Sequence, residues 1–354
     1  MTGFIVPSNV KYAPYVQYYV DLYKSEGAEF EIISWDRRGV DEDVHYAYHK
    51  PVDDHKRFDV LLGYMGFSSF VKKIVKKRKY DKLVVFTVAA AVAVSGLLKK
   101  YEGRYILDIR DASPLVKKAH SKFERAVAGA TRVVASSPSF IEWIGRDALI
   151  CHNVDIASLL ASKELSVVKA GDGPCRIAFA GLLVERVINA ELVRSLANDS
   201  RYSLSFYGTP NAGREEIEKH VADNGIKNVS FFGTYQKAEI TSIYRENADF
   251  VNVIRRKSRV NRDALPNKLY DAIGAGVPII VFGHNEAIAA YATKYNLGLV
   301  LADEDQNEFA EAIAAARDKF DYGAFEHGRE QFIDLVVSEQ EKYMDAVREF
   351  IRKD

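Results

Sequence analysis

The sequence has little cysteine, no excess charge of either sign and no long apolar run. Its two cysteines, Cys151 and Cys175, give neither a disulfide framework nor metal-ligand spacing, which is typical of proteins from a reducing cytosol. Lys+Arg and Asp+Glu are balanced at 49 each, so the overall charge argues against a nucleic-acid-binding protein. The eight histidines do not cluster, and no pair has the spacing of a metal site. We therefore expect no metal ion.

The longest apolar run, Phe86 to Leu98, is shorter than the about 20 residues that a membrane-spanning helix needs. The first residues, Met-Thr-Gly-Phe-Ile-Val-Pro, lack the charged and apolar regions of a signal peptide. We therefore expect a cytoplasmic protein. A length of 354 residues indicates two domains, and a hydrophobic content of 48% is enough to fill two cores.

Short β-branched runs alternate with helical periods along the whole chain, which predicts parallel sheets with crossover helices. In the first half the predicted strands are Gly3–Pro7, Phe30–Trp35, Leu83–Thr87, Tyr105–Ile109 and Arg132–Ser136. In the second half they are Arg176–Ala180, Ser203–Tyr207, Val229–Phe232, Phe250–Ile254, Pro278–Phe282 and Gly298–Leu301. The pattern predicts an α/β protein with two doubly wound, Rossmann-like domains.

The domain boundary is expected after His152-Asn-Val-Asp155, where the polar segment Ser162–Pro174 is typical of a linker. We predict an N-terminal domain over residues 1–160 and a C-terminal domain over 161–335. Residues 336–354 are predicted to form a final helix that packs back on the N-terminal domain. Ligands of such sheets bind at the carboxyl ends of the strands, so a site is expected in a cleft between two facing domains.

The most informative segment runs from Asp263 through Pro266-Asn-Lys268 to Asp271 and ends in Gly-Ala-Gly276 before a buried strand. Two carboxylates on one helix, two turns apart, are suited to sugar hydroxyls and a ribose diol. The alternative is that Asp263 only caps the helix and that Asp271 is a solvated residue beside the buried stripe of Leu265, Leu269, Ala272 and Ile273.

Several predicted strands of the second half end in glycine. Gly181, Gly208 and Gly233-Thr234 follow three of them. Glycine lets a ligand approach the backbone, and a following helix N-terminus favours a phosphate. Taken alone, each of these is more typical of an ordinary turn between strand and helix, but their coincidence with the segment Asp263–Asp271 favours a ligand site.

The string Pro266-Asn-Lys-Leu-Tyr-Asp-Ala-Ile-Gly-Ala-Gly-Val-Pro278 resembles the signature of retaining GT-B glycosyltransferases, the large family 4 and its relatives. Those enzymes carry two glutamates with seven residues between them, and here both are aspartates. The resemblance covers most of the second half, including Val229–Gly233 and Ile243–Asp249, and extends to Asn153–Asp155. It implies a GT-B fold with an acceptor-binding first domain and a nucleotide-sugar-binding second domain.

The resemblance also implies residue roles. Asp263 would hold the donor sugar, Asp271 the ribose, and Lys268 the diphosphate. Other donor-binding residues would be Gly181, Gly208, Gly233, Thr234, Leu265, Pro266 and Asn267.

The family has an arginine where this chain has Leu182. Either Arg186 replaces the missing cation, or Arg255, Arg256 or Lys257 does, or the enzyme is weak or inactive.

In the first half, Asp108-Ile-Arg110-Asp111 ends a buried strand. A subgroup of the same superfamily has a similar segment on its acceptor side, which implies catalytic roles for Arg110 and Asp111 together with Asp263. The alternative is a local ion pair of Arg110 with Asp108 or Asp111. Ser8 and Asn9 follow the first strand and resemble a loop near the acceptor or the donor phosphates, although no glycine run is present.

The segment Phe67–Lys79 predicts an amphipathic basic helix. Its apolar stripe consists of Phe67, Phe70, Val71, Ile74 and Val75. Either this stripe faces the domain core, or it docks with the lysines of Lys72–Lys79 on an anionic membrane surface.

The resemblance implies a retaining glycosyltransferase that moves a sugar from a nucleoside diphosphate, with UDP-sugar as the expected donor and no cofactor. The acceptor is expected to be a saccharide or lipid-linked saccharide of bacterial surface polysaccharide or capsule synthesis, at the inner face of the membrane. A GT-B epimerase or phosphorylase is an alternative enzyme. A silent sugar-nucleotide-binding subunit of a polysaccharide assembly complex is the non-enzymatic alternative. No Gly-x-Gly-x-x-Gly follows an early strand, which argues against a dehydrogenase.

Overall fold

Short runs of Val, Ile, Leu and Phe form the strands of two separate parallel sheets. The computed structural model describes residues 1–53, 56–303 and 308–353. The chain divides into two units, one formed by Met1–Asn153 with Ser338–Asp354 and the other by Val154–Val337. The segment Ser162–Pro174, predicted as a linker, lies within the second unit.

The first unit contains a seven-stranded sheet with the order β3-β2-β1-β4-β5-β6-β7. The order reverses between β1 and β4, which are neighbours in the sheet but far apart in sequence. The strands are β1 Thr2–Val6, β2 Phe30–Asp36, β3 Tyr46–His49, β4 Lys82–Phe86, β5 Tyr105–Ile109, β6 Arg132–Ala135 and β7 Leu149–Ile150. β1, β5 and nearly all of β4 are buried along their length, as expected for parallel strands covered on both faces.

Helices surround this sheet. They are α1 Tyr15–Ser25, α2 Arg57–Arg78, α3 Val88–Ala93, α4 Ser95–Leu98, α5 Leu115–Lys118, α6 His120–Ala128 and α7 Phe140–Ile144. Two apolar cores lie in this unit, one around Trp35, Phe67 and Leu107, and the other around Phe4 and Tyr19.

The second unit contains a six-stranded parallel sheet with the order β10-β9-β8-β11-β12-β13, so its order reverses between β8 and β11. The strands are β8 Cys175–Ala180, β9 Tyr202–Tyr207, β10 Val229–Phe232, β11 Phe250–Asn252, β12 Ile279–Phe282 and β13 Gly298–Leu301. Ligands of such sheets bind beyond the carboxyl ends of the strands at the point of reversal. The residues that follow β8 and β11 therefore lie where a ligand is expected to bind.

The helices of the second half complete this unit. They are α8 Ile156–Ala161, α9 Arg186–Ser195, α10 Ala212–Asp223, α11 Ile240–Asn247, α12 Arg259–Asp263, α13 Asn267–Ala275, α14 Glu286–Lys294, α15 Phe309–Arg317 and α16 Tyr322–Arg352. α13 ends at Gly276, whose φ of 71° is the left-handed conformation that glycine adopts easily. The 31-residue α16 begins in the second unit and ends in the first.

The eleven predicted strands are all present, with ends shifted by two residues or fewer. Two strands of the first sheet were missed, β3 and β7. β3, with the sequence Tyr-Ala-Tyr-His, is a partly exposed edge strand without a continuous apolar run, and β7 has only two residues. Neither carries the pattern that identifies a buried strand.

The predicted basic helix is the second half of α2. Its stripe lies inside the domain, because Phe67, Val71, Ile74 and Val75 belong to the core and Phe70 packs against it. The interpretation of this stripe as a docking face is therefore wrong. The lysines remain exposed, at positions 72, 73, 76, 77 and 79.

Among the residues that the structure describes, none of the helices is both long enough and apolar enough to span a bilayer.

Candidate functional site

The ends of three neighbouring strands of the second sheet are joined through glycines. The Gly181 N–H donates to the Tyr207 carbonyl at 2.9 Å, and the Gly208 N–H donates to the Gly233 carbonyl at 3.0 Å. Gly208 has a φ of 144°, and a Cβ added there would lie 2.4 Å from the Gly181 carbonyl oxygen. Glycine is therefore required at 208 by the close approach of two strand ends. Thr234, beside Gly233, is exposed.

The two aspartates of the central motif do not share a helix, which corrects the prediction. Asp263 is the last residue of α12, and α13 begins only at Asn267. Pro266 disfavours helical backbone in the residue before it, and Ala264 is already extended, with φ of −88° and ψ of 144°. Leu265 and Pro266 therefore form the connection between two short helices.

Asp263 does not cap α13, whose first turn follows Pro266 without a side-chain cap. Its buried carboxylate instead receives the neighbouring Arg262 guanidinium, with Nε–Oδ1 at 2.6 Å and Nη2–Oδ2 at 3.2 Å. This pair compensates the buried charge. The alternative that Asp263 is only a helix cap is wrong.

Lys268 lies on the first turn of α13 and extends to the end of β8. Its ammonium is 4.3 Å from the centroid of the Phe179 ring and 3.3 Å from the position that a Cβ would occupy on Gly181. Within residues 1–53, 56–303 and 308–353 we find no hydrogen-bond or ion-pair partner for this ammonium. Burial, together with the nearby charge of Arg255, lowers the pKa of Lys268 to about 8. An unpaired cation at a strand end is suited to an anionic ligand.

Asp271 lies one turn after Lys268, and its side chain is partly accessible. It forms an ion pair with Lys237, an exposed residue in the short turn before α11. Its neighbours Leu269, Ala272 and Ile273 are fully buried, as predicted. Asp271 is thus held at the surface of α13, and a ligand diol there would have to displace Lys237.

The structure distinguishes among the cations considered for the place of Leu182. Arg186 forms an ion pair with Glu216 of α10, and Lys257 binds Asp303 at 2.8 Å. Arg255 instead lies 3.9 Å from Glu185, and its charge acts on Lys268. Leu182 itself is 53% exposed. Of the arginines and lysine considered, Arg255 is therefore the one whose charge acts on the Lys268 ammonium.

Three residues near this cluster were missed by the sequence analysis: Glu185, Asn261 and Lys237. Glu185 accepts a hydrogen bond from Asn261 at 2.9 Å and lies 3.6 Å from Arg256, so it connects the loop after β8 with α12. The position of Glu185 just beyond a predicted strand could have identified it as a candidate site residue. No sequence pattern identifies Lys237 or Asn261, because their partners are distant in sequence.

In the first unit, Arg110 forms the ion pair that was considered as the alternative to a catalytic role. Its Nη2 donates to Asp108 at 2.6 Å, its Nη1 donates to the Cys151 carbonyl at 3.1 Å, and Tyr19 donates to Asp108 at 2.8 Å. Asp108 and Arg110 are both buried. These contacts give Arg110 a structural role, and its catalytic role stays a prediction. Asp111 is exposed and lines a cavity together with Ser8.

Asn9 also lines this cavity, but its side-chain amide is engaged within the protein, and its role in a ligand loop stays a prediction. Its side chain is buried, its Oδ1 accepts from the N–H groups of Arg37 and Arg38, and its Nδ2 donates to Asp36 at 2.9 Å. These bonds use its amide to hold the loop after β2. Among the described residues, no three His, Cys, Asp or Glu side chains are placed to hold a metal ion.

Residues 174–318 match the model of a family described as glycosyl transferases group 1. No curated protein matches the chain by sequence.

Solved structures resemble the whole chain. A sucrose-phosphate synthase from Thermosynechococcus elongatus has 16% identity and a TM-score of 0.69, with 98% of both chains covered. A structure described as trehalose-6-phosphate from E. coli bound with UDP-2-fluoro glucose has 10% identity and a TM-score of 0.66, covering 98% of this chain and 99% of that one. The lipopolysaccharide outer core galactosyltransferase WaaB has 16% identity and a TM-score of 0.64, with the same coverage. The solved structures thus show a GT-B fold. The family match over residues 174–318 supports a transferase enzyme.

Proposed function

We propose that this protein transfers a sugar from a nucleoside-diphosphate sugar to a saccharide or lipid-linked saccharide, with retention of configuration. The donor is a UDP-sugar, and the reaction uses no metal or other cofactor. The observation that carries the proposal is the placement of Lys268 and Asp271 one turn apart on α13, with Lys268 next to the glycine end of β8. A cation and a carboxylate one turn apart fit a phosphate and a ribose.

Each residue of this cluster has a proposed task. The Lys268 ammonium and the Arg255 guanidinium bind the donor diphosphate and stabilise the charge that develops as the sugar–oxygen bond breaks. Asp271 accepts hydrogen bonds from the ribose hydroxyls after Lys237 moves away. Gly181, Gly208 and Gly233 leave space for the nucleotide beside their backbone.

Asp263 binds hydroxyls of the donor sugar, with Arg262 fixing the carboxylate. Arg186 is assigned no contact with the diphosphate, because the arginine whose charge acts on Lys268 is Arg255, and Arg186 pairs with Glu216 on α10.

We propose that the acceptor belongs to the synthesis of a bacterial surface polysaccharide at the cytoplasmic face of the membrane. The similarity to a lipopolysaccharide galactosyltransferase supports this class of acceptor. The lysines of Lys72–Lys79 are exposed and suited to anionic lipid headgroups.

The first half of α2 adds an exposed apolar face that the sequence analysis did not identify. Phe58, Leu61, Leu62 and Met65 are exposed, Phe58 at 68% and Met65 at 60%. A helix turns about 100° per residue, so positions 58, 62, 65, 69, 72 and 76 share one side. An apolar half followed by a basic half on one side of a helix is typical of a surface that rests on a membrane. We propose that this side of α2, and not the buried stripe, contacts the lipid.

The second candidate function is a silent sugar-nucleotide-binding subunit. The observation that favours it is Leu182, an exposed apolar residue where the resembling enzymes have a cation. One experiment separates the two. The purified chain is incubated with a panel of nucleoside-diphosphate sugars, alone and together with saccharide acceptors, and both thermal shift and nucleotide release are measured. Ligand at a hundredfold excess over Kd stabilises the folded state by about 2.7 kcal/mol. Stabilisation with release supports the transferase, and stabilisation without release with any acceptor supports the silent subunit. No stabilisation by any nucleotide sugar would contradict both.

A further inference from the structure

Hydrogen bonds connect the carboxyl ends of three neighbouring strands of the second sheet. Arg255 lies in the loop after β11, His284 follows β12, and Asp303 lies beyond β13. His284 Nδ1 is 2.8 Å from Asp303 Oδ1, and His284 Nε2 is 2.8 Å from the carbonyl oxygen of Arg255. The imidazole of His284 therefore joins the end of β13 to the loop after β11.

The orientation of the His284 ring is fixed from several sides. Its side chain is only 3% exposed, and the ring stacks on that of Phe282 with 5.1 Å between the centroids. A carbonyl oxygen only accepts hydrogen bonds, so Nε2 carries a proton and donates it to Arg255. At the other nitrogen, Lys257 binds the Asp303 carboxylate at 2.8 Å and thereby holds the pKa of that carboxyl below its usual range. Asp303 is thus an ionised group that keeps the ring in place.

The next residue, Asn285, holds the other polar group of the Arg255 backbone. Asn285 Oδ1 accepts a hydrogen bond from the Arg255 N–H at 3.2 Å. Asn285 is the N-cap residue of α14, a position where asparagine usually accepts from the first turn of its own helix, but here its side chain makes no such bond. It is fully buried, and its Nδ2 has no hydrogen-bond partner within the part of the chain that the structure describes. The contact of this side chain is therefore with Arg255 and not with α14.

Two consecutive side chains thus hold both the N–H and the carbonyl group of Arg255. A fixed backbone restricts the positions that the guanidinium can reach. The Arg255 side chain lies 3.9 Å from Glu185, and its charge acts on the Lys268 ammonium. A cation that is held in place before the ligand arrives loses less conformational entropy when it binds an anion.

We propose that His284 and Asn285 are positioning residues, which hold the backbone of Arg255 so that its guanidinium meets the donor diphosphate. The inference rests on the proposed function in one respect, that Arg255 binds this diphosphate. It adds two residues that act through Arg255 and touch no ligand themselves.

The test is calorimetric binding of UDP and of uridine to the full chain and its variants, with the melting temperature of each. His284→Leu and Asn285→Ala should each weaken UDP at least fivefold and leave uridine within twofold, because only UDP carries the phosphates. Asn285→Ala removes no helix cap and should melt like the wild type. This variant decides alone if the His284→Leu protein does not fold.

A double variant shows whether the effect passes through Arg255. In an Arg255→Gln protein, adding Asn285→Ala should cause no further loss of UDP affinity, because both changes act on the same contact. Tyr202→Phe is the matched control. It removes another side-chain bond to a carbonyl, that of Ala310, at the amino end of β9, and should change neither affinity.

Unchanged UDP affinity in Asn285→Ala, while Arg255→Gln weakens UDP, would overturn this inference alone. Equal losses for UDP and uridine, or a full additional loss in the double variant, would show a general effect on the fold and would also overturn it. If Arg255→Gln itself leaves the preference for UDP over uridine unchanged, the phosphate role of Arg255 in the proposed function is wrong, and the inference is wrong with it.

Discussion

The Lys268 ammonium lies 3.3 Å from the position that a Cβ would occupy on Gly181, so a cation from α13 meets the bare backbone at the end of β8. The motif that contains Lys268 and the glycine after β8 are 87 residues apart in the sequence. The contact between Lys268 and Gly181 places a cation at the point where the strand order of the second sheet reverses.

The first prediction concerns the pH dependence of donor binding. Because burial lowers the pKa of Lys268 to about 8, its ammonium is charged at pH 7 and loses its proton as the pH rises through 8. The affinity for a nucleoside-diphosphate sugar should therefore fall about tenfold between pH 7 and 9. Titration calorimetry at several pH values measures this. Lys268→Met should bind weakly at pH 7 and show no such pH dependence. A constant wild-type affinity over this range would remove Lys268 from the diphosphate site.

The second prediction concerns the ribose. Asp271→Ala should weaken the binding of free UDP by about 1.5–3 kcal/mol, the range for hydrogen bonds to a charged group. Lys237→Ala removes the residue that forms an ion pair with Asp271 in the structure. This variant should bind UDP at least as tightly as the wild type, because the ligand no longer has to displace an ion pair. Equal losses in the two variants would mean that the pair as a whole, and not Asp271, contacts the nucleotide.

The third prediction concerns the donor sugar. Asp263→Asn keeps the shape of the side chain and removes its negative charge. The partly exposed Arg262 side chain can then turn to solvent, so the protein should fold normally. Sugar transfer should fall at least tenfold, while UDP affinity stays within twofold of the wild type. Rates and affinities are compared on the same preparation. Transfer at the wild-type rate would leave Asp263 only its ion pair with Arg262.

The fourth prediction identifies the second cation of the diphosphate site. Arg255→Gln should weaken UDP more than uridine, because only UDP carries the phosphates. Arg186→Gln is the matched control and should leave both affinities unchanged, since the Arg186 side chain is engaged by Glu216. If Arg186→Gln weakens UDP more than uridine and Arg255→Gln does not, the diphosphate is bound by Arg186 and not by Arg255.

The fifth prediction concerns the exposed side of α2. Sedimentation with anionic liposomes should be lost when Phe58, Leu61 and Met65 are replaced together by serine. Replacing Lys72, Lys73 and Lys76 by glutamine should abolish the preference for anionic over neutral lipid, with a salt dependence in the wild type. Since all six positions are exposed, the fold should be unaffected in both variants. Wild-type protein that stays in the supernatant with anionic liposomes at low salt would contradict the membrane proposal.

The sequence by itself determined the alternation of strands and helices, the two parallel sheets and the segment that we propose for the donor site. Apolar runs and their spacing are local properties, and Tyr105–Ile109, Val229–Phe232 and Gly298–Leu301 were predicted to the residue. The sequence also showed the glycines after β8, β9 and β10. The structure gives the reason for one of them, because the close approach of the backbone permits no other residue at Gly208.

The tertiary structure decided which side of each helix is covered and which charges meet. In α2, a Cβ on Gly63 would lie 2.2 Å from the Trp35 ring, and one on Gly66 would lie 1.9 Å from the Tyr48 hydroxyl. The glycine side therefore packs on the sheet, and the opposite side, with Phe58 and Met65, remains outside. Hydrophobic spacing alone shows that a helix has apolar sides, but only the packing partner determines which of them is buried. The pairing of Asp271 with Lys237 likewise depends on residues that the folded chain brings together.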